Sequence, residues 1–189
     1  TYNRRHTFKL AIENFYAIDY PQLKIEWIIV DDGTDSIKDM LPKESRIKYF
    51  YIDEDKRKEL YGEMVKKLNI NKNSKKNSKK NRLSKFHKDS FLNNRLPLGI
   101  KRNLCNEYAS NEIRIHMDDD DYYPKESVSL RVAGLNYKDI ECAFCTTIAN
   151  FHTGLFKSII NEVPERIPIE RGMSNNTLIY TKKFWEDKH

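Results

Sequence analysis

The sequence predicts an α/β protein with a mainly parallel central sheet and helices on both faces. Two observations carry that expectation. Short runs rich in β-branched and aromatic residues alternate with stretches of helical spacing. Two of these runs end in acidic clusters, Asp31-Asp32-Gly33 and Asp118 to Asp121, and in such sheets ligands bind beyond the carboxyl ends of the strands. At 189 residues, 39% of them hydrophobic, the chain is long enough to bury a core as one domain with an insertion.

The elements follow in order. Phe8, Ala11, Ile12 and Phe15 recur at helical spacing and predict a helix over 7–18, ending before Tyr20-Pro21. The run 24–30 (KIEWIIV), bounded by Pro21 and the Asp-Asp-Gly turn, predicts a buried strand, and 46–52 a second one. Leu60, Met64, Val65 and Leu68 mark one face of a helix over 55–68. Gly99 opens a helix over 100–109, and 112–117 is the next strand. Pro124 suits the first turn of a helix to about Leu135. Strands over 142–149 and 177–180 follow, then a helix around Phe184 and Trp185.

The net charge of +6 comes from one segment. Residues 69–88 carry eight Lys or Arg and no acid, and taking those eight from +6 leaves −2 for the remainder. The segment nearly repeats Asn-Ser-Lys-Lys at 73–76 and 77–80 and has few apolar groups, so a flexible basic insertion is expected at about 69–90. Without interleaved aromatics, a solvated insertion is favoured over a nucleic-acid tether. No apolar run approaches the ~20 residues of a membrane helix. Three cysteines, an odd count, argue against a disulfide framework and favour an intracellular reducing compartment.

Asp118 to Asp121 carry the chemistry. Adjacent carboxylates repel unless solvent or a cation offsets them. A hard cation such as Mg2+ takes oxygen ligands and is often held by one or two carboxylates with substrate phosphates. A calcium EF-hand loop fails, because its sixth position needs Gly and holds Tyr123. Cys142 and Cys145 lack the second pair that a structural zinc site needs and read as strand residues. His116 reads as a strand residue; His152 is either a loop histidine or a third metal ligand. Of Tyr122 and Tyr123, one is expected in the core.

Four stretches in order, TYNRR, WIIVDDGTDS, LGIKRN and IHMDDDDYYP, resemble the nucleotide-sugar glycosyltransferases of the GT-A fold, in particular the large family-2 group. The match covers most of residues 1–136 outside the basic insertion. The resemblance implies a Rossmann-like GT-A domain spanning 1–189, belonging to a longer protein because the family's first strand would lie mostly before Thr1. It implies transfer of a sugar from a nucleoside diphosphate (UDP favoured) to a hydroxyl of a glycan, protein or lipid-linked acceptor, by inversion, with Mn2+ or Mg2+.

Residue by residue, the resemblance implies that Thr1, Tyr2, Asn3 and Arg4 line the nucleotide pocket. Asp31 or Asp32 accepts a hydrogen bond from the base. Lys101, Arg102 and Asn103 lie near the ribose and diphosphate. Asp118, Asp119 and Asp120 fill the Asp-x-Asp frame, with Asp120 the direct metal ligand and Asp118 reaching the ribose or, through water, the metal. Asp121 matches a further aspartate of many members. The family's base comes from a late Glu-Asp or Asp; Asp187 is the candidate here, though it resembles the segment before the base. Two alternatives use the same residues differently. One is a metal-dependent nucleotidyl or phosphoryl transferase, for which no Gly-rich phosphate loop is present. The other is a non-catalytic module that binds nucleic acid through the basic loop.

Overall fold

The computed structural model describes residues 1–72, 95–138, 140–152, 154–161 and 175–188. The Asn-Ser-Lys-Lys repeats lie outside them. The described residues fall into two compact units, Thr1–Ile12 with Glu26–Ala109, and Glu13–Ile25 with Ser110–His189. Helix α1 (Arg5–Ala17) gives its first turns to the first unit and its last to the second.

The first unit is built on two parallel strands, β1 (Trp27–Asp31) and β2 (Ile47–Tyr51), with Trp27 opposite Ile47 and Asp31 opposite Tyr51. Successive strand residues point to opposite faces. Ile29 therefore packs with Phe8 and Ala11 of α1 and with Ile37, while Val30 packs with Ile52, Leu96 and Leu104. Leu104 belongs to α3 (Leu98–Tyr108), so one helix covers each face of β1, as the sequence predicts. Stacked rings reinforce both sides, Phe8 on Trp27 at 5.7 Å and Phe50 on Tyr108 at 3.9 Å. Burying side chains such as Ile29 and Val30 stabilises the strand by roughly 1.5–3 kcal/mol each.

The opening residue also joins this sheet. Thr1 N donates to Val30 O at 2.7 Å, and Asp32 N–H donates to Thr1 O at 3.4 Å, a parallel-bridge pattern. Ile52 N–H takes Asp31 O at 2.8 Å, so Thr1 lies on the edge of β1 opposite β2. Helix α2 (Glu54–Lys72) starts one residue before its predicted position and runs through Asn69–Lys72. The beginning of the expected basic insertion is thus helical.

In the second unit, β7 (Ile179–Thr181) lies between β3 (Ile113–Ile115) and β4 (Cys142–Ala143) and runs antiparallel to both. Val128, Val132 and Leu135 line one face of α4 (Ser127–Lys138) and are buried. Strands β5 (Ile148–His152) and β6 (Lys157–Asn161) form a separate antiparallel hairpin, and α5 (Lys182–Lys188) follows β7 directly.

The expected large parallel sheet is therefore not what the described residues form. Parallel ladder pairing belongs to β1 and β2, and the second unit's pairs are antiparallel. Alternation of apolar residues reports a buried face and is blind to strand direction. The predicted 142–149 strand is two strands, because the chain breaks where Cys145 N–H donates to Thr177 Oγ1 at 2.8 Å. Pro124 stands before its helix, its carbonyl accepting Ser127 N–H at 2.9 Å.

Gly33, which follows the acidic end of β1, has no room for a side chain. A Cβ there would lie 2.7 Å from both the backbone N and the Oδ1 of Asn3. Gly33→Ala is expected to destabilise the chain by about 1–3 kcal/mol, as overpacking does, and urea unfolding measures it. An unchanged midpoint would show that the Asn3 loop yields without cost.

Candidate functional site

Asp31 and Asp32 end β1 and are both fully buried. A buried carboxylate is tolerated only when paired and hydrogen-bonded, and each oxygen here has a partner. Asp31 Oδ1 accepts Gly33 N–H at 3.0 Å, and its Oδ2 accepts Ile37 N–H at 3.2 Å and the Tyr49 hydroxyl at 2.8 Å. Asp32 Oδ2 accepts Leu96 N–H at 2.6 Å, and its Oδ1 pairs with the Lys101 ammonium at 2.8 Å. Burial, with the Asp31 carboxylate beside it, pushes the Tyr49 phenol well above its ordinary range. The Tyr49 hydroxyl therefore stays protonated and able to donate.

Lys101 is 4% exposed, and besides Asp32 its ammonium donates to Thr1 O at 3.2 Å. Its charge is met inside the protein by Asp32, and the resemblance implies a place for it near the ribose and diphosphate. Arg102 and Asn103, the next residues of α3, are half-buried. Tyr2 receives two cations against its ring, Arg95 Cζ at 5.3 Å and Lys101 Nζ at 5.9 Å from the centroid. Asn3 adopts left-handed backbone at φ 50°, which Asn tolerates better than most residues. Its Oδ1 accepts Asp35 N–H at 3.0 Å and its Nδ2 donates to Thr34 Oγ1 at 3.2 Å. Arg4 O receives Thr7 and Phe8 N–H at the start of α1. The nine first-unit residues expected at a nucleotide thus lie within one compact unit, tied together by Asp32, Lys101 and Thr1.

Next to them, Arg5 forms a bidentate pair with Asp39, at 2.6 and 2.8 Å. The Arg5 guanidinium pulls the Asp39 carboxyl down to about 2. The pair therefore persists above the ordinary carboxylate range and is lost only as the pH falls towards 2.

The acid loop belongs to the second unit and follows β3. Asp118, Asp119 and Asp121 are half-buried and Asp120 is exposed. The loop is held from three directions. Asn14, a buried residue of α1, donates through Nδ2 to Asp121 O at 2.7 Å and accepts Tyr123 N–H at 3.2 Å. The Tyr123 hydroxyl accepts Asp118 N–H at 2.8 Å and donates to Asn176 O at 3.3 Å, and the Asn176 amide donates to the Asp121 carboxylate. Arg131 lies 5.6 Å over the Tyr123 ring and donates to His116 O at 3.2 Å. Burial pushes the Tyr123 phenol above its ordinary range. Sequence reasoning missed Asn14, Arg131 and Asn176. Asn14 alone left a signal: it is three residues after Ala11 and four before Ile18, on the apolar side of its helix.

Among the described residues, no group of three or more His, Cys, Asp or Glu is arranged to hold a metal ion. Asp118, Asp119 and Asp120 carry oxygen donors, the ligand type that hard cations take alongside phosphate and water. His152 is an exposed hairpin residue whose Nδ1 accepts Leu155 N–H at 3.1 Å. His116 follows β3 and bonds the Tyr180 hydroxyl at 2.8 Å. The three cysteines are free. Asp187 is exposed in the last turn of α5, which begins at the end of the β3–β7 pair away from the acid loop. A cavity of about 310 Å³ lined by Glu112, Ile113, Glu141 and Lys183 also lies at that end.

No family model and no curated protein matches the sequence. Among solved structures, the crystal structure of S. aureus TarS 1-349 is similar, with a TM-score of 0.57 and 17% sequence identity. The likeness covers 100% of this chain and 47% of that chain, so the chain spans about half the length of TarS 1-349. At that identity the likeness shows the fold, a mixed α/β arrangement.

Lys101→Met removes the partner of a fully buried carboxylate and is expected to cost about 3–5 kcal/mol in chemical denaturation. The double variant Asp32→Asn/Lys101→Met should recover part of that loss, because it leaves no buried charge behind. A single-variant loss below about 1 kcal/mol would mean that water reaches Asp32.

Proposed function

We propose that the chain is the nucleotide-sugar-binding part of a metal-dependent glycosyltransferase. It would move a sugar from a nucleoside diphosphate, UDP favoured, to a hydroxyl acceptor with inversion. The observation that carries the reading is the likeness of the whole chain to TarS, a glycosyltransferase. The Asp-x-Asp frame on an anchored loop supports it further.

In this reading Thr1, Tyr2, Asn3 and Arg4 line the nucleoside side, with Arg102 and Asn103 near the ribose and diphosphate. Asp31 or Asp32 recognises the base only by exchanging one of its internal bonds, and Lys101 acts chiefly by neutralising Asp32. Asp120, with Asp118, holds Mn2+ or Mg2+, and Asp119 lies between them in the frame. The bound cation would offset the negative charge that grows on the departing nucleoside diphosphate. The protein's own part is to keep the carboxylates from turning away. Asn14, Tyr123 and Asn176 fix the loop backbone before any ligand arrives, so little ordering cost falls on binding. Asp187 is the candidate the sequence offers for the base that takes the acceptor's proton. That role requires α5 to bring it back towards the acid loop from the end of the β3–β7 pair where the helix begins.

Calorimetry with UDP-, GDP- and CMP-sugars, with and without Mn2+, tests the reading. Binding of a UDP-sugar that strengthens with Mn2+ is the expected result, and no binding of any donor would sink it. Asp120→Ala is expected to abolish metal-dependent donor hydrolysis while the melting temperature stays that of the parent. Unchanged turnover in that variant would remove Asp120 from its role.

A further inference from the structure

Tyr122 and Tyr123 are neighbours with opposite surroundings. Tyr123 is 8% exposed and its hydroxyl is engaged on both sides, whereas Tyr122 is 75% exposed. An exposed tyrosine by itself means little, since much of any protein surface is apolar. What sets this one apart is its backbone. Asn14, 5% exposed, bonds the carbonyl before Tyr122 through Asp121 and the N–H after it through Tyr123. The Asn176 amide on the Asp121 carboxylate holds the preceding residue as well. The ring of Tyr122 is therefore presented from a fixed backbone, two residues beyond Asp120, with only its own side-chain torsions left to order.

We propose that Tyr122 is the stacking surface for the transferred sugar of the donor, and that Asn14 is the positioning residue that presents it. This rests on the donor reading above. A pyranose offers a face of C–H groups to the electron-rich face of an aromatic ring, and the phenol adds a donor for a sugar hydroxyl. Tyrosine on a pre-ordered backbone gives large contact area at low entropic cost. The contact is to the sugar alone, so it separates a UDP-sugar from UDP.

The test compares binding of UDP and of a UDP-hexose to the parent chain, Tyr122→Ala and Tyr122→Phe in the presence of Mn2+. Tyr122→Ala is expected to weaken the UDP-hexose roughly three- to tenfold and leave UDP unchanged, with Tyr122→Phe keeping most of the affinity. Asn14→Ala should weaken both ligands, because Asn14 also holds the carboxylate loop, and the UDP-hexose by the larger factor. If Tyr122→Ala binds the UDP-hexose as the parent does, or loses UDP and UDP-hexose equally, the stacking role is overturned while the donor reading stands. If the parent binds neither ligand, the donor reading fails and takes this role with it. An Asn14→Ala chain that folds and keeps full UDP-hexose affinity overturns the positioning role, and Tyr122→Ala still decides the stacking.

Discussion

The first unit depends on two adjacent carboxylates that the fold takes wholly out of water. Asp31 and Asp32 stand where β1 ends, and an unpartnered charge there would cost several kcal/mol. Meeting that demand recruits residues far apart in sequence. Tyr49 comes from β2, Ile37 from the crossover, Leu96 and Lys101 from the segment at α3, and Thr1 from the start of the chain. The same set that neutralises the charge thereby fixes Tyr2 and Asn3 over the end of the strand. Alternation along β1 does the rest, because Ile29 and Val30 each anchor a helix on opposite faces.

The second acidic cluster is handled in the opposite way. Asp118 to Asp121 stay at least partly in contact with solvent, and the protein holds the backbone of their loop. Asn14, Tyr123 and Asn176 supply neutral hydrogen bonds, apart from the amide on the Asp121 carboxylate. The two clusters look alike in sequence, and burial is what separates a scaffold from a candidate binding surface.

Much of the first unit was legible because local pattern and tertiary packing agree there. The run WIIV is β-branched and aromatic, and it forms the expected buried strand. Phe8, Ala11, Ile12 and Phe15 mark a helix that the structure places within two residues. Less was legible in the second unit. β7 enters between β3 and β4 only after the rest of the chain has passed, and no local signal reports its partners or direction. The site was read as residue types, which the acidic and basic clusters announce. Which charges are spent internally was not readable: Lys101 looks like Arg102 in a sequence, yet only the geometry of Asp32 determines that it is consumed. The choice between Tyr122 and Tyr123 was likewise fixed by Asn14, more than a hundred residues earlier.

The hairpin of β5 and β6 has one more consequence. Phe151, Leu155, Phe156, Ile159 and Ile160 are all exposed, and two strands with no third beside them among the described residues are marginal in water. Its amides accordingly trade protons with solvent through small local openings, while those of β1 wait for the whole unit to come apart. In deuterated buffer the two pairs of strands would keep separate clocks.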